Sequence, residues 1–243
     1  MSLKKWTFEM ITNLSKGGAM KTIFSDKATI VMRAMLAKHD QRWVARDFEN
    51  QLGVGRARAA TVLYVLRKKG FLGGIRSGRL AHSILQNREG LLEEWLKFYS
   101  FELNKTHLYY SPHGDVLPRL RDFFRTNQLA NGYALTLHTG ANLITNFVNS
   151  PTVYCYLRRE KFDEVSLDLR QSLSLKELKN GGNFYLIEPY YKKGAFFNDR
   201  TVKGYRVVSD LQLFLDLHNF PQRGREHAQY LLKVLKEEGK SFV

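Results

Sequence analysis

Residues 42 to 82 carry the pattern that most constrains this chain. Phe48, Leu52, Val54, Ala59, Val62, Leu63 and Leu66 are spaced as two short packed helices require, with Gly53 between them. A glycine supplies the positive φ that ends a first helix and turns the backbone sharply. Gly55 then stands at the N-cap of a second helix expected to reach about Lys69. That helix turns Arg56, Ala57, Arg58, Ala60, Thr61 and Tyr64 away from the core. Lys68-Lys69-Gly70 closes it with cations at the negative end of the helix dipole and a glycine stop.

Beyond the stop, Leu72 to Ile75 and Leu80 to His82 flank Arg76-Ser77-Gly78-Arg79, which reads as a short hairpin turn tipped by two arginines. Trp43-Val44 is expected to add a short strand to that hairpin. The whole reads as a helix-turn-helix with a basic wing. In such a motif the outward face of the second helix enters the major groove. An arginine there can make a bidentate contact with guanine worth about 1–3 kcal/mol of discrimination, and Ala57 and Ala60 let the helix approach closely. Arg56 and Arg58 are the first choices for base contact, with Thr61 and Tyr64 beside them. Lys68 and Lys69 are assigned to phosphates, and Arg76 and Arg79 to the minor groove or backbone.

Charge agrees with a polyanionic partner. The 243 residues carry 38 Lys and Arg against 23 Asp and Glu, a net charge of +15. Residues 26 to 85 hold 12 basic and 4 acidic residues, a net of +8, so about half of the excess sits in a quarter of the sequence. Cys155 is the only cysteine, which rules out an intramolecular disulfide and a cysteine-based zinc cluster. Cys155 lies in the apolar run Val153-Tyr154-Cys155-Tyr156-Leu157 and is read as a buried small hydrophobe. The sequence has no 18-residue apolar run and no signal-type start, so a cytoplasmic protein with no membrane association is expected.

Residues 1 to 25 read as a short helix or arm. Ser25 or Asp26 caps a helix over Lys27 to Lys38 whose Ile30, Val31, Ala34, Met35 and Ala37 face the helix-turn-helix. An amphipathic helix over 88 to 102, with Leu91, Leu92, Trp95, Leu96 and Tyr99 inward, bridges to a second region. There, β-type runs at Thr106 to Tyr110, Tyr133 to His138, Thr152 to Leu157, Glu164 to Leu169, Asn183 to Pro189 and Tyr205 to Val208 alternate with helices. The helices are expected over Val116 to Asn127, Gly140 to Phe147, Asp210 to Asn219 and Arg223 to Glu238. The fold class is therefore α+β: an N-terminal winged helix-turn-helix domain over residues 1–86, followed by a mixed α+β domain over 87–243.

Enzyme signatures are sparse. Gly239-Lys240-Ser241 resembles the tail of a phosphate loop, but Val234 stands where the leading glycine is required. Neither the Gly-Ser pair nor the Asp-x-Asp of a nucleotidyltransferase occurs. Asp163, Glu164, Asp168 and Glu188, with Lys192 or Lys193, are the residues that a metal-dependent nuclease would use, with the winged helix delivering substrate; a solvent face is the simpler reading. The seven histidines (His39, His82, His107, His113, His138, His218, His227) form no i, i+4 pair, so neither a metal nor a cofactor is expected. The aromatic cluster Phe184, Tyr185, Tyr190, Tyr191, Phe196 and Phe197 with Lys192, Lys193 and Arg200 could stack bases. Core and hairpin packing accounts for it more simply, with Lys192 and Lys193 as the exposed exceptions. At the C-terminal end, Leu211, Leu213, Phe214, Leu215 and Leu217 make an apolar helix, Pro221 breaks it, and Ala228, Leu231, Leu232 and Leu235 line the next. Asp216 and Arg223 are expected to pair across the corner.

The winged helix, the segment Asn-Arg-Glu-Gly-Leu-Leu-Glu-Glu-Trp-Leu (87–96) and the stretch 205–228 occur in one order. Ser209, Gln212, Asp216-Leu217, Arg223-Gly224 and Glu226 are the most specific part of the set. Over roughly residues 28–238 this set resembles the AbiEi-like transcriptional regulators, antitoxins of type IV toxin–antitoxin systems. The resemblance implies a non-enzymatic autorepressor whose winged helix binds inverted repeats in its own promoter, with a C-terminal domain that contributes to antitoxicity. It also implies a nucleotidyltransferase toxin as functional partner, without a stable complex. Gly55 stands where Ser or Thr is more usual in that family, at a cost of only a few tenths of a kcal/mol.

Overall fold

The computed structural model describes residues 23–158, 160 and 162–243. The N-terminal arm expected over residues 1–25 thus lies almost wholly outside the described residues. The chain divides into two compact units, one running to Phe98 and taking in Phe242 and Val243, the other spanning Tyr99–Ser241. The helix ending at Phe98, expected to bridge two domains, counts with the first unit.

In the first unit, α1 (Asp26–Ala37) is buried over Ala28 to Leu36 because Ala, Ile, Val, Met and Leu recur on every side of it. Its one charged interior residue, Arg33, is 2% exposed and places its guanidinium 5.0 Å from the ring centroid of Trp95. Helix α2 (Ala45–Leu52) is started by Asp47, whose Oδ2 accepts the Val44 amide at 2.8 Å. Trp43 stacks on Phe48 at 4.6 Å. Helix α3 (Arg56–Lys68) follows, then β1 (Leu72–Gly73), β2 (Ile84–Leu85) and α4 (Arg88–Phe98). α1 packs on α3 and β2, and Phe24 stacks on Phe98 at 5.0 Å.

The second unit is built on a seven-stranded mixed sheet in the order β6-β3-β7-β5-β4-β9-β8. Its strands are β3 (Lys105–Tyr110), β4 (Tyr133–Leu135), β5 (Val153–Leu157), β6 (Lys176–Glu177), β7 (Phe184–Glu188), β8 (Arg200–Val202) and β9 (Tyr205–Val207). β5–β7 and β4–β9 are parallel and the remaining pairs antiparallel. The helices are α5 (Val116–Thr126), α6 (Leu137–Thr145), α7 (Phe162–Ser172), α8 (Asp210–His218) and α9 (Gly224–Glu237). Alternation along the strands sets the faces. Tyr133 meets Phe124 of α5, and His107 meets Phe162 of α7. Tyr156, on the opposite face, reaches Asp216 of α8. Both faces of the central strand β5 are covered, which explains its unbroken apolar run.

The mixed α+β class expected from the sequence is observed, with local differences. Glu164 to Leu169 is helical, not a strand: Phe162, Val165, Leu169 and Leu173 are buried at helical spacing while Leu167 is 53% exposed. The period-2 pattern Val165, Leu167, Leu169 was a coincidence within a longer 3.6-residue repeat. The strand expected to reach His138 stops at Leu135, because Thr136 becomes the N-cap of α6. The helix expected to reach residue 102 ends at Phe98, and a 3-10 turn at Phe101–Leu103 follows. No helix among the described residues is long and apolar enough to cross a membrane.

Candidate nucleic-acid interface

The geometry of residues 44–70 follows from its glycines. Gly53 adopts φ 63° and ψ 24°, ending α2 in the left-handed region, and the Val54 amide returns to the Phe48 carbonyl at 3.0 Å. After Gly55, α3 buries Ala59, Val62, Leu63, Val65 and Leu66. Arg56, Ala57, Arg58, Ala60, Thr61, Tyr64, Lys68 and Lys69 are all exposed. The Thr61 hydroxyl donates to the Ala57 carbonyl at 3.0 Å. Lys68 Nζ lies 5.7 Å from the Tyr64 ring centroid, so these two side chains form one unit on the helix surface.

The hairpin differs from the sequence expectation. Pairing is confined to Leu72↔Leu85 and Gly73↔Ile84, leaving residues 74 to 83 as a ten-residue loop rather than a four-residue turn over Arg76 to Arg79. Gly74, at φ 101°, bends the first strand off the ladder, and the His82 amide donates to the Ile75 carbonyl at 2.9 Å within the loop. Trp43 and Ser83 form the expected third-strand bridge. Arg76 and Arg79 are exposed at the loop tip beside Leu80, itself 75% exposed.

One arginine that braces the loop is not legible in the sequence. Arg67 Nη2 donates to Gly73 O at 3.3 Å, His82 O at 3.0 Å and Ser83 Oγ at 2.7 Å, tying the base of the loop to α3. Its partners lie up to sixteen residues away, so no local pattern marks it.

In the second unit, Asp216 is fully buried and accepts hydrogen bonds from Tyr99 at 2.7 Å, Gln212 at 2.7 Å, Tyr156 at 3.1 Å and the Thr136 hydroxyl. Burial pushes its carboxyl up to about 6, against the opposing pull of these donors. The expected Asp216–Arg223 pair is absent: Arg223 instead pairs with Glu226 at 2.8 Å and covers the Phe147 ring. Asp216 points into the core where the four donors converge, and the corner leaves Arg223 on the surface. His138 and His227 meet Nδ1 to Nδ1 at 2.8 Å with rings 8° from parallel. The Gln222 carbonyl can only accept, so His138 Nε2 donates to it at 3.1 Å. With both rings neutral, His227 Nδ1 then donates to His138; Thr145 Oγ1 lies 2.8 Å from His227 Nε2 and 2.9 Å from the Ala141 carbonyl, so its single proton serves one acceptor at a time. Burial lowers both pKa values, that of His227 to about 4, where the neighbouring His138 and Arg223 add to the effect.

The carboxylates considered for a nuclease are not brought together. Asp163, Glu164 and Asp168 lie on α7, whereas Glu188 on β7 is held by Lys105 at 2.6 Å and His107 at 2.9 Å. Among the described residues no three His, Cys, Asp or Glu side chains gather as a metal site. Cys155 is buried, and burial pushes its thiol pKa upward. Phe184, Tyr191 and Phe196 are buried in packing, while Lys192 and Lys193 are exposed.

The C-terminal motif residues have structural work. Ser209 caps α8 by accepting the Gln212 amide at 3.3 Å, Gln212 serves Asp216, and Arg223 and Glu226 pair. Gly224 comes so close to Leu217 that a Cβ would lie 2.4 Å from its carbonyl oxygen.

No curated protein and no solved structure gives a match to this chain. A family model described as "Transcriptional regulator, AbiEi antitoxin, Type IV TA system" matches residues 84–236. The match begins at β2, after α3 and the arginine-tipped loop, and runs through the whole sheet. With well over half of its length matched, the chain belongs to the AbiEi antitoxin family of type IV toxin–antitoxin transcriptional regulators.

Proposed function

We propose that this chain is a DNA-binding autorepressor in which residues 42–85 act as a winged helix-turn-helix on double-stranded promoter DNA. The observation that carries the reading is the exposure of Arg56, Ala57, Arg58, Ala60, Thr61 and Tyr64 together on α3, after a left-handed Gly53 turn, with Arg76 and Arg79 exposed on the adjoining loop. Lys68 and Lys69 extend this surface and serve phosphates. The net charge of +15 supports the same partner.

The α+β region supplies the antitoxin function toward a nucleotidyltransferase toxin, acting without a stable complex. In this reading the division of labour follows the chain, with DNA recognition in residues 1–86 and antitoxicity in 87–243. Gel-shift and fluorescence-anisotropy titrations against inverted-repeat duplexes from the gene's own promoter test the first part. Specific binding that weakens steeply with salt is expected, and affinity equal for promoter and scrambled duplex overturns it. Co-expression with a nucleotidyltransferase encoded beside this gene tests the second part: rescue of growth without co-purification is the expected result, and no rescue overturns it.

A further inference from the structure

Helix α3 begins without a side-chain cap, because its N-cap residue is Gly55. The acceptor for its first amide comes from the preceding helix. Glu49 Oε1 lies 3.5 Å from the Arg56 amide nitrogen, and Glu49 Oε2 lies 3.7 Å from Arg56 Nε. One carboxylate thus serves both the start of the helix and the guanidinium placed first in line for a base. Both side chains remain open to solvent, at 54% for Arg56 and 47% for Glu49.

This charge is conspicuous by its surroundings. Asp47 and Glu49 are the only acids between Gln41 and Asn87, and Asp47 is engaged at the start of α2. A carboxylate suits a helix N-terminus. Against a duplex, however, it repels phosphates, and the base-edge groups it can accept from are the amino groups of cytosine and adenine. An arginine held by a carboxylate also keeps fewer rotamers, which favours one bidentate posture over loose phosphate contacts.

Resting on the DNA-binding reading above, we infer that Glu49 is a specificity-determining residue. It acts through Arg56, orienting that guanidinium toward guanine and away from loose phosphate contacts. The role predicts weaker non-specific binding than the local charge of the helix alone would give.

The test uses the full chain and a preferred site selected from a randomised duplex pool. Dissociation constants are measured on that site and on random duplex for wild type, Glu49→Gln, Arg56→Ala and the double variant. Glu49→Gln is expected to tighten binding to random duplex and to lower the ratio of specific to random affinity by about fivefold or more, the lower end of what one good base contact discriminates. In the Arg56→Ala background the same change is expected to leave the ratio nearly unmoved. A ratio unchanged by Glu49→Gln, or one that falls equally in both backgrounds, overturns the role of Glu49 while DNA binding stands. Failure of the wild type to bind any duplex overturns the DNA reading itself, and this role with it.

Discussion

Asp216 shows how much a single side chain can carry. Its carboxylate is the meeting point of Tyr99, Tyr156, Gln212 and Thr136, so Asp216→Ala leaves buried donors without an acceptor. A loss of about 3–5 kcal/mol in unfolding free energy is expected, read by denaturant melts. Its folded pKa of about 6 stands above the 3.8 of the free group, so the folded state binds more protons in that window. The proton-linked part of its contribution therefore grows as pH falls from about 6 to about 4 and is absent above that range, a change on the order of 3 kcal/mol, while its hydrogen bonds remain throughout. His227 acts in the opposite sense, its pKa being depressed to about 4, so stability is lost as pH falls below the ordinary histidine value. The difference between wild type and Asp216→Asn across pH isolates the aspartate. At the proposed interface, Arg56→Ala or Arg58→Ala is expected to relax sequence preference. Lys69→Ala is expected to weaken binding to all duplexes and lower the salt slope by about one, and equal losses for all three on specific and random DNA refute that division.

At the scale of elements, connections that hold pieces together matter more than the pieces. Arg67 joins α3 to the loop through three acceptors. Arg67→Ala is expected to cost about 1–3 kcal/mol and to speed amide exchange at His82 and Ser83 while the sheet of the other unit is unaffected. Gly224 lies at the α8–α9 corner, where an added Cβ meets Leu217 O at 2.4 Å and Phe220 Cβ at 2.8 Å. Gly224→Ala forces the two helices apart, with an expected loss of about 1–3 kcal/mol, seen as a lower melting temperature. These elements also show where sequence reading succeeds. Gly53 and the apolar spacing of α2 and α3 are local signals, and they placed the end of α2 at Gly53 and α3 from after Gly55 to within a residue of its observed end. β6 and β8 went unseen because a two-residue Lys-Glu edge and a three-residue Arg-Thr-Val strand have no period to detect. The polar clusters were illegible for another reason. Tyr99 and Asp216 are 117 residues apart and His138 and His227 are 89 apart, separations that only the folded sheet brings together.

At the scale of the whole molecule, the family match and the proposed interface occupy different stretches of the chain. The match starts at residue 84, so what is common to the family is chiefly the sheet-based unit, and the residues offered to DNA lie ahead of it. The motif that most resembled the family in sequence, Ser209 to Glu226, caps and closes helices, which makes it a signature of the fold more than of a reaction. The net charge of +15 acts at this scale too: under the proposed DNA-binding role, raising salt is expected to weaken the binding of every duplex while discrimination among duplexes persists, because base contacts would carry it.

The first unit does not consist of one continuous stretch, since Phe242, 6% exposed, and Val243 cluster with it. Removing these two residues takes away a buried aromatic, and about 1.5–3 kcal/mol of that unit's stability is expected to go with it. Hydrogen exchange in α1 to α4 would rise in the shortened chain while exchange in β5 and β7 stays at the wild-type rate. There is a consequence for the order of events during synthesis. Residues 23–98 leave the ribosome early, yet their packing is finished only after the intervening sheet unit has been translated. A nascent or prematurely terminated chain therefore carries the arginine-bearing helix in an unfinished setting, and the proposed DNA-binding surface is expected to be complete only once the second unit has been made.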